Sequence, residues 1–232
     1  IGLSALKLLL KNKYKIISIT KTKSKAVETL LKNKNFIKNI YHPLGENLLT
    51  DKKLVNEIYQ KYKIDFMVCN AGVRHRDSLK KMNLEKRNYT LNVNYHSNVV
   101  LIEELLKFYN KKKSSISIVC ISSIVGKFGF KDLSSYASSK MALEGFLKSI
   151  AVEYAKKNVR INLVAPGFIK SSYYNNFVKN QKNLNKWILE RTPMGRWGNS
   201  NEVSNVIEFL ISDKSSYITG STIYVDGGWN IS

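Results

Sequence analysis

Tyr136 and Lys140 stand four residues apart in the stretch Ser134–Leu147, SSYASSKMALEGFL. On a helix this spacing puts both on one face, so a phenol and an ammonium can converge on one small molecule. A cation about 5 Å from a phenol, at an effective dielectric near 20, favours phenolate by about 3 kcal/mol, or roughly two pK units. That would bring a tyrosine from about 10 toward about 8, a usable general acid for a carbonyl oxygen near neutral pH. The small residues Ala137, Ser138 and Ser139 leave room for something flat against the backbone, and Ser134 and Ser135 are expected to cap the helix. The same spacing recurs at Tyr59/Lys63 and Tyr109/Lys113, so it is the company of the Tyr136 copy that matters. Ser123 lies thirteen residues before Tyr136, just past an apolar run, and its hydroxyl can reach the same spot from the neighbouring element. Asn94 sits inside the apolar stretch LNVNYHSNVV, as a satisfied polar residue or a helix irregularity.

The elements that must position these residues alternate. Tyr14–Thr20, Phe36–Tyr41, Ile64–Cys69, Ile116–Ile121, Val159–Ala165 and Thr222–Val225 read as strands. Between them lie helical patterns at Leu3–Lys11, Val27–Leu31, Leu54–Tyr62, one long helix Leu84–Tyr109, the Tyr136 helix, and Glu202–Ser212. Strands alternating with helices imply βαβ units, hence an α/β fold with a doubly wound parallel sheet covered on both faces. Ligands of such sheets bind at the carboxyl ends of the strands. Thr20-Lys21, Asn70-Ala71-Gly72, Ser122-Ser123 and Pro166-Gly167 all fall there. The polar, aromatic stretch 171–190 reads as short helices forming a lid. No linker or fixed-period repeat divides the chain, so 1–232 is expected to be one domain.

The formal net charge of +21 invites a nucleic-acid reading, but composition argues against it. Only six of the 38 basic residues are Arg, the planar donor suited to bidentate base contacts. The lysines are spread along the chain among 24 Asn, with one tight run at Lys111–Lys113. Such a surface would still attract acidic partners, such as phosphorylated cofactors or an acidic carrier protein. No apolar run approaches the length of a membrane span. His42, His75 and His96 show no metal spacing. Cys69 and Cys120, each at or near the end of an apolar run, are expected to be buried free thiols, consistent with a soluble protein in a reducing intracellular compartment, cytoplasm or organelle matrix.

In order along the chain, Asn70-Ala71-Gly72, the set Asn94, Ser123, Tyr136 and Lys140, the Pro166-Gly167 turn and the closing Asp226-Gly227-Gly228 resemble the short-chain dehydrogenase/reductase family. Within it, the stretches GVRHRDSL, ISSIVGKFG, YASSKMALEGFLKS, INLVAPGFI, PMGRWG and SSYITGSTIYVDGG look most like the 3-oxoacyl-[acyl-carrier-protein] reductases. The resemblance implies a Rossmann fold and hydride transfer from NADPH to the 3-keto group of a carrier-bound acyl chain. In that scheme Tyr136 donates the proton and Ser123 steadies the oxyanion. Lys140 lowers the tyrosine pKa and holds the nicotinamide ribose, and Asn94 supports a water relay. The cofactor site would draw on Gly2, Thr20, Lys21, Asn47, Asn70, Ala71, Gly72, Pro166, Gly167, Ile169 and Ser171 beside Tyr136 and Lys140. The resemblance also implies a homotetramer built on the Tyr136 helix, the long Leu84–Tyr109 helix and the last strand.

The departures are specific. The family's first strand and Gly-rich turn would end at Ile1-Gly2, so only the last Gly of that turn is expected here. Asn47 stands where an Asp usually meets adenine, and Ser171 replaces a Thr near the nicotinamide amide. At the end of the second strand an acidic residue would select NAD and a basic one NADP. Thr20-Lys21-Thr22-Lys23 offers Lys21 as the phosphate partner, with no Asp or Glu before Glu28. A carbonyl, steroid or sugar-alcohol reductase, and an inactive dinucleotide-binding subunit, are the rival readings.

Overall fold

The computed structural model describes residues 1–109, 115–171 and 174–232; the Lys111–Lys113 run lies outside them, as does the lysine of the Tyr109/Lys113 pair. Among the described residues six strands are present: β1 (Ile16–Thr20), β2 (Phe36–Tyr41), β3 (Phe66–Cys69), β4 (Ile116–Ile121), β5 (Val159–Pro166) and β6 (Thr222–Val225). They pair in parallel as β1-β2 and β3-β4-β5-β6. Among the described residues no ladder joins the two groups, but Tyr14 meets Phe66 across them edge-on at 5.5 Å.

The β-branched run ISIVCI of β4 is buried at every position, which requires cover on both faces. Side chains alternate across a strand. Ile118 and Cys120 therefore join the core under α3 (Leu48–Lys61), α5 (Ser97–Tyr109) and α7 (Ser134–Tyr154). Val119 and Ile121 join the core under α1 (Gly2–Lys11) and α10 (Ser200–Ile211). The remaining helices are α2 (Lys25–Leu30), α4 (Leu84–Leu91), α6 (Ile124–Lys127), α8 (Tyr174–Asn180) and α9 (Lys182–Arg191). No described helix is long and apolar enough to cross a membrane. Cys69 and Cys120 are free, buried and register partners on neighbouring strands.

Two local outcomes differ from the pattern in the sequence. The expected Leu84–Tyr109 helix is interrupted by a π turn at Asn92–His96. The carbonyls it releases find side chains, Ser97 Oγ donating to Val93 O and Asn98 Nδ2 to Asn94 O, each at 2.8 Å. The residue before α7 is Leu133, and no serine side chain caps the helix. Asp132 turns left-handed (φ 64°) and buried Leu133 anchors the entry in an aromatic cluster, leaving Ser134 to receive Ser138 Oγ at its carbonyl. The 171–190 stretch does form two short helices, α8 and α9. Tyr174 and Phe177 of α8 meet Trp197 at 5.1 and 5.3 Å, which holds α8 on the body. Farther along α7, Leu143 and Leu147 are wholly buried, each contributing about 1.5–3 kcal/mol, so the rotation of the helix that carries Tyr136 is set by its core face.

Candidate active site

A cleft of about 290 Å³ opens where the strands end. Asn70 and Gly72 after β3, Ile121 at the end of β4, and Tyr136 and Lys140 on α7 line one side. Gly2 at the start of α1 and the segment Ile169–Ser171 after β5 close the other. Arg74 lines it too, from the loop after Gly72. No acidic side chain is among the lining residues.

Tyr136 is half-buried, with the Ser123 hydroxyl near enough to its phenol to lower the phenol's pKa. Ser123 is held in turn as the N-cap of α6, its Oγ accepting from Val125 N at 3.2 Å. Lys140 is almost fully buried and donates to the carbonyl of Ile121 at 2.7 Å. Its ammonium lies 5.8 Å from the centre of the Tyr136 ring. The electrostatics differ from the expected pattern. Burial raises the Tyr136 phenol above its usual value, and the Ser123 hydroxyl and the Arg74 charge draw it back only in part. The ammonium of Lys140 is the group that moves to about 8, because burial disfavours its charge. The lysine head is turned to a backbone carbonyl, and the expected depression of Tyr136 by Lys140 is not realised in this arrangement.

Asn94 is fully buried. Its Nδ2 donates to Val73 O and to Ser139 Oγ, both at 2.9 Å, and its Oδ1 accepts from Val73 N at 2.8 Å. Both amide protons are committed, so the side chain ties the loop after β3 to α7 and has no donor left for a water relay. Gly72 permits this closeness: a Cβ there would stand 3.3 Å from Asn94 Oδ1 and 3.6 Å from Lys140 Nζ.

The outer cofactor candidates fall in two groups. Ile169 and Ser171 line the cleft. Pro166 ends β5, and Gly167 bonds from its N to Val225 O at 3.0 Å, with Asp226 so close that a Cβ would meet its Cα at 2.8 Å. Ala71 lies between two lining residues. At the far end, Thr20 Oγ1 accepts from Asn39 Nδ2 at 3.0 Å. Lys21 is paired with Glu46 at 2.7 Å and Tyr89 Oη at 3.0 Å, and both contacts raise its pKa. Asn47 also has a structural task. Its oxygen caps α3, accepting from Leu49 N and Thr50 N at 3.0 and 3.2 Å, which satisfies two of the helix's free N–H groups. Arg74 was missed by sequence reasoning; its only signal is being one of six Arg, two residues past the Asn70-Ala71-Gly72 turn.

The cleft fits a nicotinamide dinucleotide in kind. It is cationic, it meets the N-terminus of α1, and Gly2 and Gly72 hold the backbone open, for a Cβ at Gly2 would collide with the Asn70 amide. Known proteins agree. The 3-oxoacyl-[acyl-carrier-protein] reductase FabG of Thermotoga maritima is 39% identical over 178 residues, covering 76% of this chain and 71% of the relative. Its namesake from Rickettsia felis is 35% identical over 194 residues (84% and 79%), and that of Escherichia coli K12 34% over 185 residues (78% and 74%). Among solved structures, a 4-hydroxyisoleucine dehydrogenase complexed with NADH superposes with a TM-score of 0.92 at 25% identity, covering 100% of this chain and 94% of its own. A putative 2-deoxy-d-gluconate 3-dehydrogenase from Agrobacterium tumefaciens with bound NADP gives 0.90 at 24%, covering 100% and 92%. A family profile of the short-chain dehydrogenase class, described as enoyl-(acyl carrier protein) reductase, matches residues 50–230. With that match spanning the Tyr136–Ser123 pair and the cleft around it, the chain belongs to the short-chain dehydrogenase/reductase family of nicotinamide-dependent oxidoreductases.

Proposed function

We propose that the chain reduces the 3-keto group of an acyl thioester carried on acyl carrier protein, with NADPH as reductant. The observation that carries this reading is Tyr136, with Ser123 beside it, in a cationic cleft that Lys140 and Arg74 also line. The reductase names of relatives 34–39% identical support the substrate class. When bound, the dinucleotide supplies the hydride. Gly2, the Asn70-Ala71-Gly72 turn, Lys140, Ile169 and Ser171 would hold its nicotinamide half, and Thr20 and Lys21 its adenosine half. Pro166-Gly167 shapes the wall between them.

The chain's own residues do the rest. Tyr136 Oη gives its proton to the C3 oxygen, and the Ser123 hydroxyl donates to that oxygen as charge builds on it. Lys140, cationic below about pH 8, would hold the nicotinamide ribose from the same helix face as Tyr136. Asn94 keeps the Val73 loop and α7 in register, and α8 and α9 cover the acyl chain and exclude water. Lys21 meets the 2′-phosphate of NADPH by exchanging Glu46 for it. A homotetramer belongs to the same reading, supported by Met141 and Val152 exposed on α7.

The test is turnover of an acetoacetyl thioester with NADPH, and Tyr136→Phe in the same assay. The expected loss is at least about a hundredfold, with NADPH binding retained. Activity of the variant within a few-fold of wild type removes Tyr136 from the chemistry, and turnover of simple ketones without any thioester turnover overturns the substrate class.

A further inference from the structure

Arg74 is an exposed residue in the wall of the cleft, and among the described residues no ion pair or hydrogen bond engages its side chain. The residue before it, Val73, has both its N–H and its carbonyl bound by the buried Asn94 side chain, at 2.8 and 2.9 Å. The residue after it, His75, is joined through Nδ1 to Thr90 Oγ1 at 2.9 Å, and its ring lies against Tyr89. Asp77 N then bonds to Asp132 O at 3.0 Å. A loop backbone fastened on both sides of one residue leaves only that residue's side chain free to choose a partner. That side chain lines the cleft with Tyr136 and is close enough to act on the phenol electrostatically. A guanidinium presents a rigid planar fork, which suits an oxygen acceptor better than the diffuse charge of a surface lysine does.

The substrate class proposed above carries such an acceptor. A 3-oxoacyl group has a second oxygen function at C1, separated from the C3 ketone by a single methylene, so an oxygen placed on Tyr136 and Ser123 leaves another within a few ångströms. We infer that Arg74 is a specificity-determining residue that receives the C1 oxygen of a 3-oxo compound, the neutral carbonyl of a thioester or the carboxylate of the free acid. This inference rests on the 3-oxoacyl reading. Arg74 would thereby tell a 1,3-dicarbonyl from a simple ketone, binding the latter with one anchor in place of two.

The experiment compares wild type, Arg74→Ala and Arg74→Lys with acetoacetyl-N-acetylcysteamine as substrate and free acetoacetate as competitor, with NADPH affinity measured separately. Arg74→Ala is expected to raise KM for the thioester about tenfold, with kcat lowered less than about threefold. The inhibition constant of acetoacetate should rise more, about thirtyfold or beyond, because its charged oxygens make the stronger bond to the guanidinium. Arg74→Lys should recover part of the acetoacetate effect. A thirtyfold effect on acetoacetate beside a tenfold one on the thioester identifies both sources of the C1 oxygen. Weakened NADPH affinity with an unchanged KM would assign Arg74 to a cofactor phosphate and overturn the inference. So would a fall in kcat alone, which would leave only its charge acting on Tyr136. A wild type that turns over the thioester while Arg74→Ala keeps its KM sinks the Arg74 assignment alone; a wild type inert toward the thioester sinks the underlying reading as well.

Discussion

Lys140→Met should make the protein more stable at neutral pH while abolishing its activity. The ammonium is 3% exposed, and its pKa falls from 10.5 to about 8. Between those values the folded state binds fewer protons than the unfolded one, so stability rises as pH climbs from about 8 to about 10.5. At pH 7 the group is charged in both states, and holding that charge buried costs the fold on the order of 3 kcal/mol. At pH 9.5 most of the folded molecules hold a neutral lysine, and the cost falls to roughly 1 kcal/mol. Methionine has a similar unbranched stem and no charge, so it removes this cost but leaves the Ile121 carbonyl without its donor. That loss is the same at both pH values and cancels in the comparison. Urea unfolding of wild type and Lys140→Met without added cofactor, at pH 7.0 and 9.5, should therefore show the variant's relative stability fall by about 2 kcal/mol between the two. A difference constant to within about 0.5 kcal/mol would refute the claim that burial of this ammonium is unfavourable.

Asn94→Ala removes three buried hydrogen bonds and strands both backbone groups of Val73, for an expected loss of about 2–4 kcal/mol in urea unfolding, with faster hydrogen exchange confined to the loop after β3. Gly45→Ala should cost about 2–4 kcal/mol, because Gly45 has φ +83° and its added methyl would meet Val93 backbone at 2.7 Å. Gly220→Ala, equally left-handed but with only the Ala151 methyl 3.7 Å away, should cost about 1 kcal/mol in the same unfolding assay. Lys21→Asp, which would face Glu46 with a second carboxylate, should swing the NADPH-to-NADH ratio of kcat/KM by more than about a hundredfold; an unchanged ratio would reduce Lys21 to a surface residue.

The strands and the Tyr136, Lys140 and Ser123 cluster were legible because each rests on short-range chemistry: a β-branched run, a four-residue spacing, a serine at a strand end. The π turn was not. Its extra residue changes the period inside a stretch already apolar on every side, and Val93 and Leu101 suit either helix. Leu133 displaced the serines as the start of α7 because the aromatic cluster, remote in sequence, fixes the chain's entry. The direction of the two pKa shifts was hidden for a related reason. Spacing places Lys140 near Tyr136, but only the packed strand end shows that its head faces Ile121. The capping role of Asn47 was missed because an Asn before a helix has two uses, and here the nearest free N–H groups claim its oxygen.

The π turn is in effect a phase shifter. A regular helix carried from Leu84 to Tyr109 would keep one angular setting throughout, and the faces needed at its two ends would have to coincide. The additional residue between Asn92 and His96 advances everything downstream by about 100°. The first half can then aim Tyr89 at Lys21 and Thr90 at His75, while the second turns Leu101, Leu105 and Leu106 into the core beside α3. Asn94 sits at the joint, where neither phase rules. Excising one residue there would not shorten a loop; it would rotate one half of a shaft against the other, so the site and the core could no longer both be in gear.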